Sequence, residues 1–279
     1  MPELPEAETV RLGLADQIPG HRINTVEATG VRSVRRHPWP AELGQRLSGR
    51  RLTAVGRHGK YLLLSVEDEV LVIHLGMSGQ LLLAGADGPR PAHTHVVLGL
   101  DDGRELRFVD PRTFGEVFVS SGPASPGGSR PRELAHLGFD PLLEMPPPAA
   151  FAAGLAARPM QLKALLMGQR YVAGLGNIYT DEILHLSGLR SDRRASSLGA
   201  DEARRLRTRM QQVLRTAVRL GGSSLSDQQY RDVNGLPGRY QHRHRVYGRE
   251  GLPCPTCGTP ISRVRWSGRS TFFCPRCQP

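Results

Sequence analysis

Four cysteines constrain this chain more than any other feature. Cys254-Pro255-Thr256-Cys257 and Cys274-Pro275-Arg276-Cys277 form two C-x2-C knuckles sixteen residues apart. Each knuckle presents two thiolates from one tight turn, and tetrahedral zinc takes four such soft ligands. These are all the cysteines the chain contains. A pair of disulfides or redox pairs is the alternative. Four thiolates leave zinc no open coordination position, so the metal is expected to be structural. Its work is to hold the intervening hairpin, with Arg265, Arg269 and Phe272, against another part of the molecule.

The 279 residues suffice for one large or two modest domains. A net charge of +11 and a pI near 10.3 point to a polyanionic partner, nucleic acid before an anionic membrane. No apolar run approaches the roughly 20 residues of a membrane helix. No signal-peptide pattern is visible. The expected setting is therefore cytosolic, where structural disulfides are disfavoured. Of 37 basic residues only Lys60 and Lys163 are lysines. A position that keeps Lys in so Arg-rich a chain needs what Arg lacks, a compact ammonium that can lose a proton.

Ala7, Val10, Leu14 and Ile18 make an apolar stripe at helical spacing, which predicts a helix over 6–18 with Pro5 near its start. Glu6 and Glu8 fall near the positive end of its dipole. From about 22 to 121 the pattern is β. Strands at 61–66 and 70–75 flank an acidic turn, and those at 96–100 and 106–109 flank Asp101-Asp102-Gly103, a hairpin signal. Residues 122–133 read as a Pro/Gly/Ser-rich linker. Pro146-Pro147-Pro148 precedes a helical half spanning 149–220. Its last helix carries Leu206, Met210, Val213, Leu214 and Ala217 on one face, and Gly221-Gly222 ends it. Residues 223–248 read as an irregular loop before the cysteine module.

The N-terminus reads Met1-Pro2-Glu3-Leu4-Pro5-Glu6. Removal of Met1 would leave Pro2 as a secondary amine. An α-amino group has a pKa of about 8, so part of it is unprotonated near neutrality. Such an amine can attack a sugar carbon and form an iminium. Glu3 offers a general acid/base beside it. An ordinary frayed terminus is the plain alternative. In Gly174-Leu175-Gly176-Asn177, the glycines let a ligand approach the backbone, and Asn177 is expected to cap the following helix, a ready phosphate site. His74-Leu75-Gly76-Met77-Ser78-Gly79 and Asp110-Pro111-Arg112-Thr113-Phe114-Gly115 together offer Met77, Arg112 and Phe114. Two apolar side chains and a guanidinium can fill the hole left by an extruded base.

Taken in order, the N-terminal Pro2-Glu3-Leu4-Pro5-Glu6, the Lys60 hairpin, HLGMSG, DPRTFG, GLGNIY and the four-cysteine finger resemble the bacterial formamidopyrimidine-DNA glycosylase family, which also contains endonuclease VIII. The resemblance covers essentially the whole chain. It implies an α+β fold: an N-terminal β-sandwich with flanking helices over 1–133, then a C-terminal domain over 134–279. That second domain would hold a helix–two-turn–helix element and a zinc-finger β-hairpin at 245–279, with DNA in the cleft between domains. By the same resemblance Pro2 is the nucleophile at C1′ and Glu3 the acid for base departure and sugar opening. Lys60 contacts phosphate and donates a proton in β-elimination, and Arg269 holds phosphate and assists δ-elimination. Asn177, His93, Arg158 and Lys163 contact the DNA backbone. Met77, Arg112 and Phe114 fill the stack, with Arg112 reading the orphaned cytosine. Cys254, Cys257, Cys274 and Cys277 hold one structural Zn2+.

The function implied is a bifunctional glycosylase/AP lyase for oxidised purines, 8-oxoguanine and formamidopyrimidines, acting by a Pro2 Schiff base and β,δ-elimination. Its partner is double-stranded damaged DNA, not a membrane, and a monomer in the bacterial cytoplasm, associated with the nucleoid, is expected. Two features depart from the family's usual pattern: the run before the hairpin lysine is Arg57-His58-Gly59-Lys60, and Leu236-Pro237-Gly238-Arg239-Tyr240 replaces Lys-Pro-Gly followed by aromatics. The second lies where the family folds over an extruded purine. One alternative is an endonuclease VIII-like enzyme for oxidised pyrimidines, against which Met77, Arg112, Phe114 and the full loop after Gly222 argue. The other is a non-catalytic DNA-binding zinc protein, which has no need of Pro2, Glu3 and Lys60.

Overall fold

The computed structural model describes residues 2–120, 130–225 and 229–279, so the expected linker lies outside it up to residue 129. The chain divides into two compact units, Met1–His136 with Leu220–Arg239, and Leu137–Arg219 with Tyr240–Pro279.

The first unit opens with helix α1, Leu4–Ala15. Strand β1, Ile23–Ala28, and helix α2, Ala41–Leu47, follow. Then come β2 (Leu52–His58), β3 (Tyr61–Val66), β4 (Glu69–His74), β5 (Gln80–Gly85), β6 (Thr94–Leu100), β7 (Arg104–Val109) and β8 (Glu116–Val119). They form two antiparallel sheets, β1-β6-β7-β5 and β2-β3-β4-β8, the expected sandwich. Alternation sets the inward face of β3, whose Leu62, Leu64 and Val66 are fully buried. They share one core with Val10 and Leu14 of α1 and with Leu98 and Phe108 of the other sheet. Each such side chain contributes roughly 1.5–3 kcal/mol on leaving water.

Residues 220–239 correct the expected division at 133/134, which placed them in the C-terminal domain. Tyr230 and Val233 are buried in the sandwich core. Leu83 N–H, on the edge strand β5, donates to the Val233 carbonyl at 2.9 Å, and Gln80 Nε2 donates to the Gln229 carbonyl at 2.8 Å. The returning chain thus satisfies an edge that sequential strands leave open.

The second unit holds helices α3 (Pro148–Ala156), α4 (Leu162–Met167), α5 (Asn177–Ser187) and α6 (Ala200–Arg219). The predicted face of α6 is buried, with Leu206, Met210 and Val213 at 0–2% exposure. Strands β9 (Ser262–Trp266) and β10 (Arg269–Phe273) make a two-stranded hairpin. Its turn, Ser267-Gly268, has both residues at positive φ, 46° and 77°, the conformation that matches strand twist in a two-residue connection. Among the described residues no helix is long and apolar enough to cross a membrane.

Candidate functional site

The two units each carry part of the predicted set. In the first, α1 spans Leu4–Ala15, starting two residues before and ending three residues short of the predicted 6–18. Proline in the first turn loses nothing, because its N–H would have no helical partner. Glu3 is the N-cap, and Glu6 Oε2 accepts its backbone N–H at 2.8 Å, one half of a capping box. Pro2 is buried and Glu3 is 1% exposed, so this terminus does not fray. The other Glu6 oxygen accepts Ser223 N–H at 2.7 Å. Gly222, at φ +77°, runs so close that a Cβ there would stand 2.6 Å from Glu6 Oε1. Glu6 therefore fastens the start of α1 to the returning segment.

Lys60 occupies the two-residue turn between β2 and β3, where His58 pairs with Tyr61. Arg57 fixes this turn. Its Nη1 donates to the Gly59 carbonyl at 2.9 Å and its Nε to Glu8 Oε2 at 2.8 Å. Burial pushes the Glu8 carboxyl up, but Arg11 and Arg57 outweigh it and hold Glu8 below the usual carboxylate range. One ion pair thus joins the helix that Glu3 caps to the turn bearing Lys60. His74, across the ladder from Tyr61, lies 4.6 Å from it between ring centroids. Burial, and then the charge of Lys60, lowers its pKa to about 4. Gly76 N–H donates to His74 Nδ1 at 3.2 Å, so the neutral ring carries its proton on Nε2.

Asp110, fully buried, joins the HLGMSG and DPRTFG loops. It accepts from Ser78 Oγ at 2.6 Å and from Gly115 N–H at 2.7 Å. Arg112 N–H donates to Ser78 Oγ at 3.2 Å. Gly76, at φ +63°, lets the loops abut; a Cβ there would fall on the backbone of Phe114 and Gly115. Phe114 is 49% exposed, with the exposed Arg112 guanidinium 5.4 Å from its ring centroid. Met77 is half-buried in the first loop. His93 is exposed at φ +64°, and its carbonyl accepts Asp110 N–H at 3.0 Å. The double loop therefore gathers Met77, Arg112 and Phe114, with His93 beside it through the backbone.

In the second unit, Asn177 is not the cap of α5. Gly176 holds that position, and Asn177 is the first helical residue. Its Nδ2 instead donates to the Ser270 carbonyl at 2.9 Å, on the hairpin that carries Arg269. Lys163 corrects a second expectation. It is 1% exposed, not a surface cation. Its ammonium donates to Asp181 Oδ1 at 2.6 Å, Thr271 Oγ1 at 2.8 Å and the Ser270 carbonyl at 3.4 Å. Three N–H donors meet three acceptors converging on one point, which a planar guanidinium could not satisfy. Burial raises the Asp181 carboxyl above the usual carboxylate range, and Lys163 pulls against it. Asp181 Oδ2 also accepts Phe272 N–H at 2.9 Å. Arg269 itself is exposed at the hairpin tip. The Arg158 guanidinium lies 4.6 Å from the Tyr171 ring centroid, with Nη1 donating to the Gly154 carbonyl at 2.6 Å.

The four cysteines are free thiols, which sets aside the disulfide alternative. Their sulfurs all lie within 4.8 Å of one another, with Cys254–Cys277 at 3.9 Å and Cys257–Cys274 at 3.4 Å. A tetrahedron with Zn–S bonds of about 2.3 Å has edges of about 3.8 Å. Thr256 N–H points at Cys254 Sγ and Cys277 N–H at Cys274 Sγ, both at 3.4 Å. Such amide donors neutralise thiolate charge around a metal. The donor set fits one structural zinc.

Residues 1–117 match the formamidopyrimidine-DNA glycosylase N-terminal domain, 137–229 the formamidopyrimidine-DNA glycosylase H2TH domain, and 251–279 the zinc finger found in FPG and IleRS. This chain belongs to the formamidopyrimidine-DNA glycosylase family. A Thermus thermophilus formamidopyrimidine-DNA glycosylase is 47% identical over 283 residues, covering 100% of this chain and 98% of that protein. The Nocardia farcinica protein of the same name is 42% identical over 290 residues, with 100% and 98% coverage. The crystal structure of the T. thermophilus MutM (Fpg) protein superposes with a TM-score of 0.86 at 45% identity, over 99% of this chain and 98% of that one. Lactococcus lactis Fpg in complex with abasic-site DNA gives 0.86 at 32% identity, over 99% of both chains.

Several residues that hold this family member's site are not evident from sequence. Glu6 and Glu8 read there as dipole partners, but each accepts specific hydrogen bonds from distant residues. Gln169 braces the GLGN loop, accepting from Gly174 N–H at 2.8 Å and donating to the Leu175 carbonyl at 2.6 Å. Glu182, fully buried on α5, accepts the backbone N–H groups of Arg245, Val246 and Tyr247 at 2.9–3.0 Å. Only a carboxylate at a buried helical position hints at the last of these.

Proposed function

We propose that this chain is a bifunctional DNA glycosylase/AP lyase of base excision repair that removes oxidised purines from duplex DNA, acting as a monomer in the bacterial cytoplasm. The observation that carries the reading is the start of α1. Pro2 is buried directly before Glu3, and the Glu8–Arg57 pair ties that helix to the Lys60 turn. A DNA-binding module without catalysis has no use for this construction. The relatives' names, and the complex of L. lactis Fpg with abasic-site DNA, support the substrate class.

Once Met1 is removed, the Pro2 nitrogen bonds to C1′ as the bond from C1′ to the base breaks. Glu3, at the positive end of α1, assists departure of the base and protonates the ring oxygen as the sugar opens. The product is an iminium, cationic because its nitrogen carries no proton to lose. That charge acidifies the neighbouring carbon-bound proton, which passes to water as the 3′ phosphate leaves by β-elimination with Lys60 donating a proton to the leaving phosphate. The 5′ phosphate then leaves by δ-elimination with Arg269 on phosphate, and water releases the sugar fragment. No external oxidant or reductant is needed. Zinc, when bound, supplies shape: it fixes the hairpin bearing Arg269. Phe114 and Met77 occupy the vacated stack, and Arg112 pairs with the orphaned base. His93, Arg158 and Asn177 contact the backbone, a sequence-independent and salt-sensitive source of affinity.

Borohydride trapping on a duplex with 8-oxoguanine opposite cytosine tests this. The native protein is expected to give a covalent adduct at its N-terminal residue, and Pro2→Gly and Glu3→Gln to lose turnover. Intact activity in either variant ends the mechanism. Faster cleavage of an oxidised-thymine duplex would move the chain to the endonuclease VIII-like reading.

A further inference from the structure

Helix α5 is the seat of the zinc module, and it touches the metal site at one point that the reaction does not use. His185, on the last turn of α5, is 4% exposed, and its Nε2 lies 3.4 Å from Cys254 Sγ. The metal-ligand cluster closes on the four cysteine sulfurs alone. His185 is therefore outside the coordination sphere and directly against it. Its Nδ1 is buried without a partner among the described residues. That detail decides the tautomer. A proton on Nδ1 would be an orphaned buried donor, and the Nε2 lone pair would then face a thiolate. A proton on Nε2 gives the thiolate a donor and leaves only an unpaired acceptor, the less costly outcome.

We propose that His185 is an outer-sphere residue of the zinc site, donating Nε2–H to the Cys254 thiolate and thereby coupling metal retention to the seating of the finger on α5. This rests on the structural-zinc reading. Cys254 is the more buried partner of its knuckle and already receives Thr256 N–H, so a second donor there completes the neutralisation of a thiolate shielded from water. The bond has company along the same helix. Asp181 holds Phe272 N–H, Glu182 holds residues 245–247, and just beyond α5 the Leu189 carbonyl accepts Gln278 Nε2 at 2.9 Å. His185 alone among these addresses a metal ligand. Withdrawing electron density from a thiolate makes it a poorer base, so proton-assisted release of zinc slows. Because Asn177 begins the same helix and holds Ser270, loss of the metal would be felt at the Arg269 hairpin through α5.

The test uses the full-length zinc protein. Zinc content is first measured at one per chain; its absence would fail the zinc reading itself, separately from this inference. Release to an excess of chelator is then timed for native protein, His185→Phe and His185→Gln. His185→Phe, which fills the site without a donor, is expected to lose zinc about tenfold faster, and His185→Gln, which keeps an N–H, to stay within about threefold of native. In cobalt-substituted protein the sulfur-to-metal charge-transfer band should move to longer wavelength in His185→Phe and not in His185→Gln. Native protein loaded with cadmium supplies a readout that needs no variant: the His185 ring Hε2 should show scalar coupling to the metal. Equal release rates and an unmoved band in both variants, or an Nδ1-protonated ring without cadmium coupling, overturn the proposal.

Discussion

Two regions of the molecule, the sandwich around Glu3 and Lys60 and the hairpin around Arg269, are held in opposite ways. Glu3 and Lys60 stand on elements whose places are set by apolar packing: Val10 and Leu14 beneath α1 and Leu62 and Leu64 beneath the Lys60 strand are all fully buried. Arg269 stands on a hairpin that buries little. Three consecutive residues of β9, Arg263, Val264 and Arg265, face water, and the module's own core is four residues, Val246, Cys254, Ile261 and Cys274. A lone two-stranded hairpin is marginal in water. Here a metal and a row of buried polar contacts from α5 replace the missing core. The first region thus owes its place to apolar burial, with the Glu8–Arg57 pair as an added tie, whereas the second relies on a metal and on buried polar contacts.

Removing zinc should have the largest effect, and one confined to the second region. Structural zinc binding is worth on the order of 10 kcal/mol or more in small finger modules. Chelation is expected to abolish amide-exchange protection in β9 and β10 and to cut affinity for lesion DNA by roughly 100-fold or more, while β3 and β4 keep their protection. Loss of protection in the sandwich would show that the two regions depend on the same metal. Next in size is Lys163→Met, which strands the Asp181 carboxylate in the interior. Breaking a buried pair from one side costs about 3–5 kcal/mol. Urea unfolding should show that loss, and Lys163→Arg should fail to restore stability because its fork cannot meet Asp181, Thr271 and Ser270 together. Recovery by Arg would mean that charge alone matters.

Glu6→Ala probes the sandwich side. It leaves the Glu3 and Ser223 N–H groups without their carboxylate acceptor, at about 1–3 kcal/mol for each donor. The thermal midpoint should fall, and the 220–239 segment should gain proteolytic sensitivity before the finger does. The smallest effect is acid sensitivity through His74. Its pKa falls from 6.5 unfolded to about 4 folded, so the unfolded chain binds the proton first and stability is lost as pH drops below 6.5. By about pH 5.5 the loss is about 1.4 kcal/mol, and His74→Gln should flatten that part of the stability curve.

Short-range patterns in the chain carried a good deal of this. The Asp101-Asp102-Gly103 turn marks the β6–β7 hairpin, the 3.6-residue stripe marks α6, and the cysteine spacing marks the finger, because each follows from chain geometry over a few residues. The motifs around Pro2, Lys60 and Arg269 led to the family for the same reason. What local pattern could not show were partners far apart in sequence. Asn177 reads as a cap from its neighbours, but its amide is taken by Ser270, 93 residues on. Lys163 reads as a phosphate contact until Asp181 and Thr271 close around it. Residues 223–248 read as an irregular loop of the C-terminal domain, yet Glu6 and Ser223, 217 positions apart, bond to each other.

Residue type and spacing along the chain were enough to mark the β6–β7 hairpin, the apolar face of α6, the zinc ligands and the side chains chemically able to act at each end, but not helix α2, Ala41–Leu47, which lies inside a stretch that reads as β. The features so marked depend on residue type and on short periodicities along the chain. Tertiary structure alone decided which polar groups are buried and what satisfies them: Glu6 with Ser223, Arg57 with Glu8, Lys163 with Asp181, His185 with Cys254. A buried charge or hydrogen-bonding group is tolerated only when its partner arrives from elsewhere in the fold, and that arrival is fixed by the packing of whole elements.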